Sequence, residues 1–237
     1  MAELYFRQLL AGRDFGRHDR IAAQMQNFVY AIGDKEAGEV LLVDPAWAVD
    51  ELVDLVEADG LKVSGALCTH YHPDHIGGSM FGFTVQGLPR LMEKAPCKVY
   101  CHELEAEGVR KVTGLSKSDL TTHTSGDKVK VGDIEVELLH TPGHTPGSLC
   151  FRLKDALVAG DTLFLQGCGR VDLPGGDPAE MWRTLKHRLS GLSGDTTLYP
   201  GHAYGGEQAD MSTVRRINQY LDPAFLSAWA RQLGLEG

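Results

Sequence analysis

One short segment concentrates residues that could bind a metal ion: Thr69-His70-Tyr71-His72-Pro73-Asp74-His75. His70 and His72 are two positions apart in a segment that leaves a predicted strand, so their imidazoles point to the same side. Asp74 and His75 follow Pro73, which turns the chain and lets them approach a cation from another direction. In a chain of this composition, the pattern H-x-H-x-D-H arises by chance on the order of once per thousand such chains. The segment therefore predicts a metal site.

Three further segments share one design, in which a predicted strand ends in a glycine-containing loop that offers a possible ligand. They are His140–Ser148, Gly160–Thr162 and Tyr199–His202. Glycine lets backbones crowd around a small site, because it has no Cβ to clash. With the first segment they supply five imidazoles and two carboxylates: His70, His72, Asp74, His75, His144, Asp161 and His202. One tetrahedral zinc uses fewer ligands, so the set favours two cations that share a bridging ligand.

The elements that must position these residues alternate along the chain. Hydrophobic periodicity predicts strands at 28–32, 40–43, 63–69, 98–101, 128–131, 134–140, 148–153, 156–159 and 196–199. It predicts helices at 50–59, at 88–94, from about 103, at 178–192 and from about 210. This order indicates an α/β fold in which two sheets are covered by helices. No linker-like stretch interrupts the chain, so we expect a single domain over 1–237 with a short helical tail at about 210–237.

Composition excludes several classes of function. The 237 residues carry a formal net charge of −9, which is poorly suited to binding nucleic acid. No run approaches the roughly 18 apolar residues of a membrane span, and charged residues interrupt the first twenty positions where a signal peptide needs an apolar run. We therefore expect a cytoplasmic protein with no nucleic-acid or membrane partner. The five cysteines show no zinc-finger spacing, and we expect them to be reduced and structural.

The motifs, in their order along the chain, resemble those of the metallo-β-lactamase-fold hydrolases. The resemblance runs from about Asn27 to His202, and Asp44 matches an early structural aspartate of that family. It implies a four-layer αβ/βα sandwich with two metals at one edge, between the sheets. It also implies that one metal is bound by His70, His72 and His144, that the other is bound by Asp74, His75 and His202, and that Asp161 bridges them.

Within this superfamily the chain most resembles the glyoxalase II group and the related persulfide dioxygenases. Both have counterparts of Gly167-Cys168-Gly169-Arg170 and of Tyr204, and in them the equivalents of Arg170 and Tyr204 line a glutathione pocket. Class B β-lactamases have cysteine where Asp161 stands, which argues against antibiotic hydrolysis. Only 35 residues follow His202, fewer than the helical C-terminal domain of full-length glyoxalase II needs. That departure puts glutathione itself in doubt.

The resemblance implies hydrolysis of a thioester of the hydroxyacylglutathione type by a metal-bridging hydroxide. A thiolate needs little protonation to leave, and Asp74 is the candidate for carrying a proton. We expect two divalent metals, zinc first, with iron or manganese as alternatives, and a small-molecule substrate that is a glutathione or other thiol conjugate. The main alternative is a persulfide dioxygenase with one iron(II) on His70, His144 and Asp161. A metal-stabilised, non-catalytic domain is a third possibility, and the sequence leaves the oligomeric state open.

Overall fold

The computed structural model describes residues 2–235, which form two six-stranded β-sheets and a separate two-stranded hairpin. The strands, in chain order, are β1 Leu4–Leu10, β2 Phe28–Asp34, β3 Glu39–Val43, β4 Lys62–Leu67, β5 Gly78–Met80, β6 Phe83–Val85, β7 Lys98–His102, β8 Leu120–His123, β9 Lys128–Val131, β10 Ile134–His140, β11 Leu149–Arg152, β12 Ala156–Gly160, β13 Thr197–Pro200 and β14 Ala209–Asp210. The α-helices are α1 Arg20–Met25, α2 Val49–Ala58, α3 Pro73–Ile76, α4 Leu88–Lys94, α5 Ala106–Thr113, α6 Pro178–Arg183, α7 Met211–Ile217 and α8 Pro223–Leu233. Short 3₁₀ turns lie at Lys117–Asp119 and Gln219–Leu221.

The two large sheets follow the two halves of the chain. The first has the strand order β1-β2-β3-β4-β7-β8, and its strands from β3 onwards run parallel. The second has the order β14-β13-β12-β11-β10-β9, in which β12 and β13 are the parallel pair. Strands β5 and β6 form the hairpin.

Apolar side chains from the two sheets meet in one core. Phe28, Tyr30 and Ile32 of β2 belong to the same buried cluster as Leu138 of β10 and Phe151 of β11. Every residue of β2 is buried, because its alternate side chains pack against the covering helices on the other face. Burial of apolar surface between the sheets holds the two halves together.

Helices cover the outer face of each sheet. On the first sheet, α2 and α4 contribute Val53 and Leu91 to a second buried cluster. On the second sheet, α6, α7 and α8 contribute Met181, Val214 and Leu226 to a third. The resulting order of layers is helix, sheet, sheet, helix, which confirms the predicted four-layer αβ/βα sandwich.

The structure differs from the predicted elements in several places. The helix predicted over 178–192 is α-helical only at Pro178–Arg183 and continues as a wider π-helical turn at Thr184–Arg188. In that turn the buried Thr184 hydroxyl donates a hydrogen bond to the Pro142 carbonyl at 2.7 Å. Strand β1 and the β5–β6 hairpin lie where the pattern made no prediction, because neither shows a clear apolar alternation.

The structure also bears on the expectations for membrane-spanning helices and for the cysteines. Among residues 2–235, no helix has both the length and the apolar character that crossing a bilayer requires. All five cysteines lie in the described part of the chain and are free thiols, with Cys68, Cys101 and Cys150 buried.

Candidate metal centre

Loops at one edge of the sandwich carry all the predicted ligands. The loop after β4 leads through His70 and His72 into helix α3, which holds Asp74 and His75. In the second sheet, His144 lies between β10 and β11, while Asp161 and His202 follow the ends of β12 and β13. Because β12 and β13 are parallel, the residues after them emerge at the same edge. The folded chain therefore gathers residues that are far apart in sequence.

Three histidines form one donor set. Nitrogen atoms of His70, His72 and His144 all lie within 4.8 Å of one another. His72 Nδ1 is 3.0 Å from His144 Nε2, and the rings meet nearly edge to face, with centroids 4.6–4.7 Å apart. Such converging nitrogens can coordinate a single cation.

A second donor set lies beside the first. Donor atoms of Asp74, His75 and His202 again lie within 4.8 Å of one another. Asp74 Oδ2 is 3.4 Å from Nε2 of both His75 and His202, and those two nitrogens are 3.3 Å apart.

Asp161 stands between the two sets, and its two oxygens face different partners. Oδ2 is 3.7 Å from His144 Nε2 and 3.5 Å from His202 Nε2. Oδ1 is 3.4 Å from His75 Nε2. A carboxylate in this position can contribute an oxygen to each of two cations.

Hydrogen bonds at the far side of the rings orient three of the histidines. His144 Nδ1 donates to the Arg170 carbonyl and His202 Nδ1 donates to the Met25 carbonyl, each at 2.7 Å. His75 Nδ1 donates to Asp44 Oδ2 at 2.9 Å. With the proton on Nδ1, each ring directs the lone pair of Nε2 into the cluster, as metal-binding histidines do.

Asp44 also supports the start of the histidine-rich loop. Its Oδ1 accepts from the Thr69 backbone N–H at 2.7 Å, and its Oδ2 accepts from the Thr69 hydroxyl at 2.5 Å. That hydroxyl is in turn 2.9 Å from His70 Nδ1 and can accept its proton. One buried carboxylate therefore orients a ligand of each set.

The donors fit a pair of cations, and two donor atoms lack another partner among the described residues. His70 Nε2 and Asp161 Oδ1 are buried and, within the described chain, form no hydrogen bond. A buried polar atom without a partner costs about 1–3 kcal/mol. Lone pairs of His75 and His202 also point at each other, which is repulsive unless a proton or a cation lies between them. Two divalent cations would remove both costs.

The electrostatics of the two sets differ. Burial and the neighbouring imidazoles hold the pKa of His70 well below its ordinary value and lower the pKa of His72 to about 4. Burial also opposes protonation of His202, but the carboxylate of Asp161 outweighs it and raises that pKa to about 9. His70 and His72 of the first set thus present neutral nitrogens. The second holds protons that a cation displaces when it binds.

The residues predicted to bind substrate lie at the wall of the same site. Arg170 and Tyr204 both line a cavity of about 740 Å³ that opens onto the two donor sets. The Arg170 guanidinium is exposed and paired with Asp172 at 2.8–2.9 Å. The Tyr204 ring stacks on His202, with centroids 4.7 Å apart, and its hydroxyl donates to the Met25 carbonyl at 3.1 Å.

Sequence reasoning missed two buried residues that support the ligands. Asn27 donates to Asp74 Oδ2 at 2.9 Å and accepts from Trp47 Nε1 at 3.1 Å. Glu105 is fully buried and bonds to the backbone of both the first histidine loop and the loop of His144. Neither residue belongs to a motif, and only the tertiary fold brings them to the site.

Comparison with known proteins agrees with this geometry. Residues 23–212 match the model of the family described as the metallo-beta-lactamase superfamily. The chain belongs to the metallo-β-lactamase superfamily. Its known members include metal-dependent hydrolases and a dioxygenase, so the His/Asp cluster of this superfamily member is a metal-binding cluster.

Relatives within the superfamily fall on the predicted branch. The chain is 37% identical to the hydroxyacylglutathione hydrolase of Rhodopseudomonas palustris over 75% of its own length and 63% of that enzyme. It is 32% identical to the human mitochondrial persulfide dioxygenase ETHE1 over 76% of its own length and 65% of that enzyme. It therefore spans less than two thirds of each of these two relatives. Among solved structures, TTHA1623 in a di-iron-bound form matches with a TM-score of 0.65 and 30% identity, covering 82% of this chain and 94% of that one.

Proposed function

We propose that this chain hydrolyses acyl thioesters with two divalent metal ions, the type of reaction named in its hydroxyacylglutathione hydrolase relative. The observation that carries the proposal is the position of Asp161, whose two oxygens face two complete donor sets. Two complete donor sets joined by one carboxylate favour two metals. Water is added across the acyl carbon–sulfur bond, and the products are a carboxylate, a thiol and a proton.

Each set would hold one metal. His70, His72 and His144 would bind the first, the remaining three donors Asp74, His75 and His202 would bind the second, and Asp161 would contact both. Imidazole and carboxylate ligands suit zinc, which we propose first, and also iron or manganese. When bound, two such cations bring the pKa of a shared water towards neutrality and polarise the substrate carbonyl.

The chain's own residues complete the chemistry. Asp74 lines the cavity, and its Oδ2 accepts a hydrogen bond from the Asn27 amide. Its carboxylate is therefore positioned to receive a proton and to return it to product. The thiol released from a thioester has an ordinary pKa near 8.5, so its thiolate leaves with little help from an acid. This agrees with a site in which Asp74 and Asp161 are the carboxylates among the described cavity residues.

The second candidate function is persulfide oxidation at a single iron(II). It is favoured by the identity to the persulfide dioxygenase and by the arrangement of His70, His144 and Asp161, two histidines and one carboxylate. This reaction consumes oxygen and needs one metal per chain, so it can be separated from hydrolysis by two measurements.

The test combines metal content with two assays. We expect protein purified without added metal to contain about two metal ions per chain by elemental analysis. It should cleave S-lactoylglutathione or other acyl thioesters and consume no oxygen when given glutathione persulfide. One iron per chain with oxygen uptake would replace the proposal with the dioxygenase function. A two-metal protein that cleaves no acyl thioester would refute it.

A further inference from the structure

Much of the cavity wall outside the ligands is apolar. More than half of the lining residues outside the ligands are apolar, among them Met25, Met80, Phe81, Phe164, Leu173 and Pro174. At about 740 Å³ the cavity is within the range of sites that enclose small organic molecules. Outside the donor sets, the Tyr71 and Tyr204 hydroxyls that line the cavity each donate to a backbone carbonyl.

Charges that would recognise a peptide-like thiol are scarce in this cavity. Glutathione carries two carboxylates and an ammonium group, which need charged partners. Arg170 is the sole arginine or lysine among the described residues lining the cavity. Its Nε and Nη2 bind the Asp172 carboxylate, which already neutralises much of the charge that a substrate carboxylate would meet.

The β5–β6 hairpin presents an aromatic ring at the mouth of the cavity. Phe81 is 87% exposed although it lines the cavity. Its backbone has φ 49° and is followed by Gly82 at φ 82°. A non-glycine residue in this left-handed region is uncommon, and such strain persists where the surrounding structure or its function requires it. An apolar group in the cavity would cover this ring.

We infer that the substrate bears an uncharged apolar group, larger than a lactoyl group, which lies against Phe81 and Leu173 near the reacting thioester. This inference rests on the proposed function, since it names the class of thioester cleaved at that site. The apolar group can belong to the acyl side or to the thiol side, and the two arms of the experiment distinguish these sources. Burial of one methylene is worth about 0.8 kcal/mol, or roughly fourfold in kcat/KM.

In the first arm, the acyl chain of N-acetylcysteamine thioesters is lengthened from acetyl to octanoyl. In the second arm, acetyl thioesters of alkanethiols are lengthened from ethanethiol to hexanethiol. We expect kcat/KM to rise roughly two- to fourfold per methylene in one arm until the cavity is filled, and to exceed the value for S-lactoylglutathione. Flat or falling values in both arms, or S-lactoylglutathione as the best substrate, would overturn the inference while leaving thioester hydrolysis intact.

A matched pair of variants assigns the effect to the cavity. Phe81→Asn removes the ring and keeps a residue that tolerates positive φ, and it should flatten the dependence on chain length. Phe83→Ala is the control, because Phe83 belongs to the same hairpin and is 52% exposed but is not among the described cavity residues. An equal effect of both variants would contradict the inference.

Binding without turnover separates this inference from the proposed function. Calorimetric titration with acetate and with octanoate tests the cavity even if no thioester is cleaved. We expect octanoate to bind at least tenfold more tightly than acetate to the unmodified chain, and Phe81→Asn to lose most of this difference. Equal affinities would overturn the inference. A large difference without thioester cleavage would keep the apolar site and refute the hydrolase.

Discussion

Asp161 is the residue on which both donor sets depend, because its Oδ1 faces His75 and its Oδ2 faces His144 and His202. A peripheral histidine serves one set only. We therefore expect Asp161→Asn to reduce bound metal to less than one ion per chain and to lower kcat/KM by about a hundredfold or more. Elemental analysis and thioester assays measure both.

His202→Ala provides the comparison for that variant. It removes one ligand of the second set, so about one metal ion per chain should remain. The rate of thioester hydrolysis should nevertheless be largely lost. If a single iron performed the reaction, His202→Ala would keep most of the activity. Asp155→Asn is the control for a lost carboxylate, because the Asp155 side chain is 80% exposed and belongs to neither donor set. Near-normal metal content and rate in Asp161→Asn would contradict the bridging assignment.

Among the elements, helix α5 connects two of the ligand loops through Glu105, the residue that precedes it. Glu105 Oε2 accepts from the Tyr71 N–H at 2.8 Å, and Oε1 accepts from the Gly147 N–H at 2.7 Å. Tyr71 lies between two ligands, and Gly147 belongs to the loop of His144. A Cβ at Gly147 would lie only 2.8 Å from Glu105 Cγ, so this approach requires glycine. The carboxylate is therefore a positioning group for both loops.

The burial of Glu105 has a measurable consequence for stability. Burial raises its pKa from 4.5 to about 7, although a hydroxyl and two N–H donors offset part of the effect. Because the folded-state pKa is the higher one, the stability it contributes is complete below about pH 4.5 and is lost as the pH rises through 7. We expect the free energy of unfolding of the unmodified chain, relative to Glu105→Gln, to fall by about 2 kcal/mol between pH 5.5 and 8.

Urea unfolding of both proteins in chelator at the two pH values measures this difference. Chelator removes any contribution from metal binding, and the ligand histidines titrate in both proteins alike. Glu93→Gln, at a carboxylate that is 67% exposed, should show no such change relative to the unmodified chain. Parallel pH profiles for Glu105→Gln and the unmodified chain would show that Glu105 does not titrate as described.

Short motifs at strand ends were enough to identify the residues that the fold brings together. His70, His144 and Asp161 all lie in glycine- or proline-containing loops after predicted strands, so residue type and local position both point to a cluster. The layered α/β fold follows from the same alternation of strands and helices. Its four-layer form came from the family resemblance, since periodicity alone does not set how sheets pack.

The supporting residues could not be predicted, because their roles depend on contacts between distant segments. Asn27 precedes an apolar strand and reaches Asp74 only after folding. Arg170 is a similar case: its backbone carbonyl orients His144, while its side chain is bound to Asp172. Every residue type has a backbone carbonyl, so the sequence does not indicate a role of this kind. The π-helical turn after α6 also depends on a tertiary contact, between Thr184 and Pro142.

At the scale of the molecule, the cluster joins the two sheets of the sandwich. The loop after β4 and helix α3, from the first sheet, carry four of the seven donors, and loops of the second sheet carry the other three. The backbone continues this link, since the Phe28 N–H donates to the Gly201 carbonyl at 2.8 Å. A cation bound to both halves therefore acts as a cross-link that exists only in the folded chain.

Metal removal should consequently destabilise the whole protein. A ligand at a hundred times its Kd stabilises the folded state by about 2.7 kcal/mol, which corresponds to a rise in Tm of about 5–10 °C for a domain of this size. We expect calorimetry to show a fall in Tm of this order when chelator is added and recovery when zinc is returned in excess. Asp161→Asn should show little response to either, because it lacks the ligand that connects the two sets. A Tm independent of chelator in the unmodified chain would mean that the two sheets are held together without the metals.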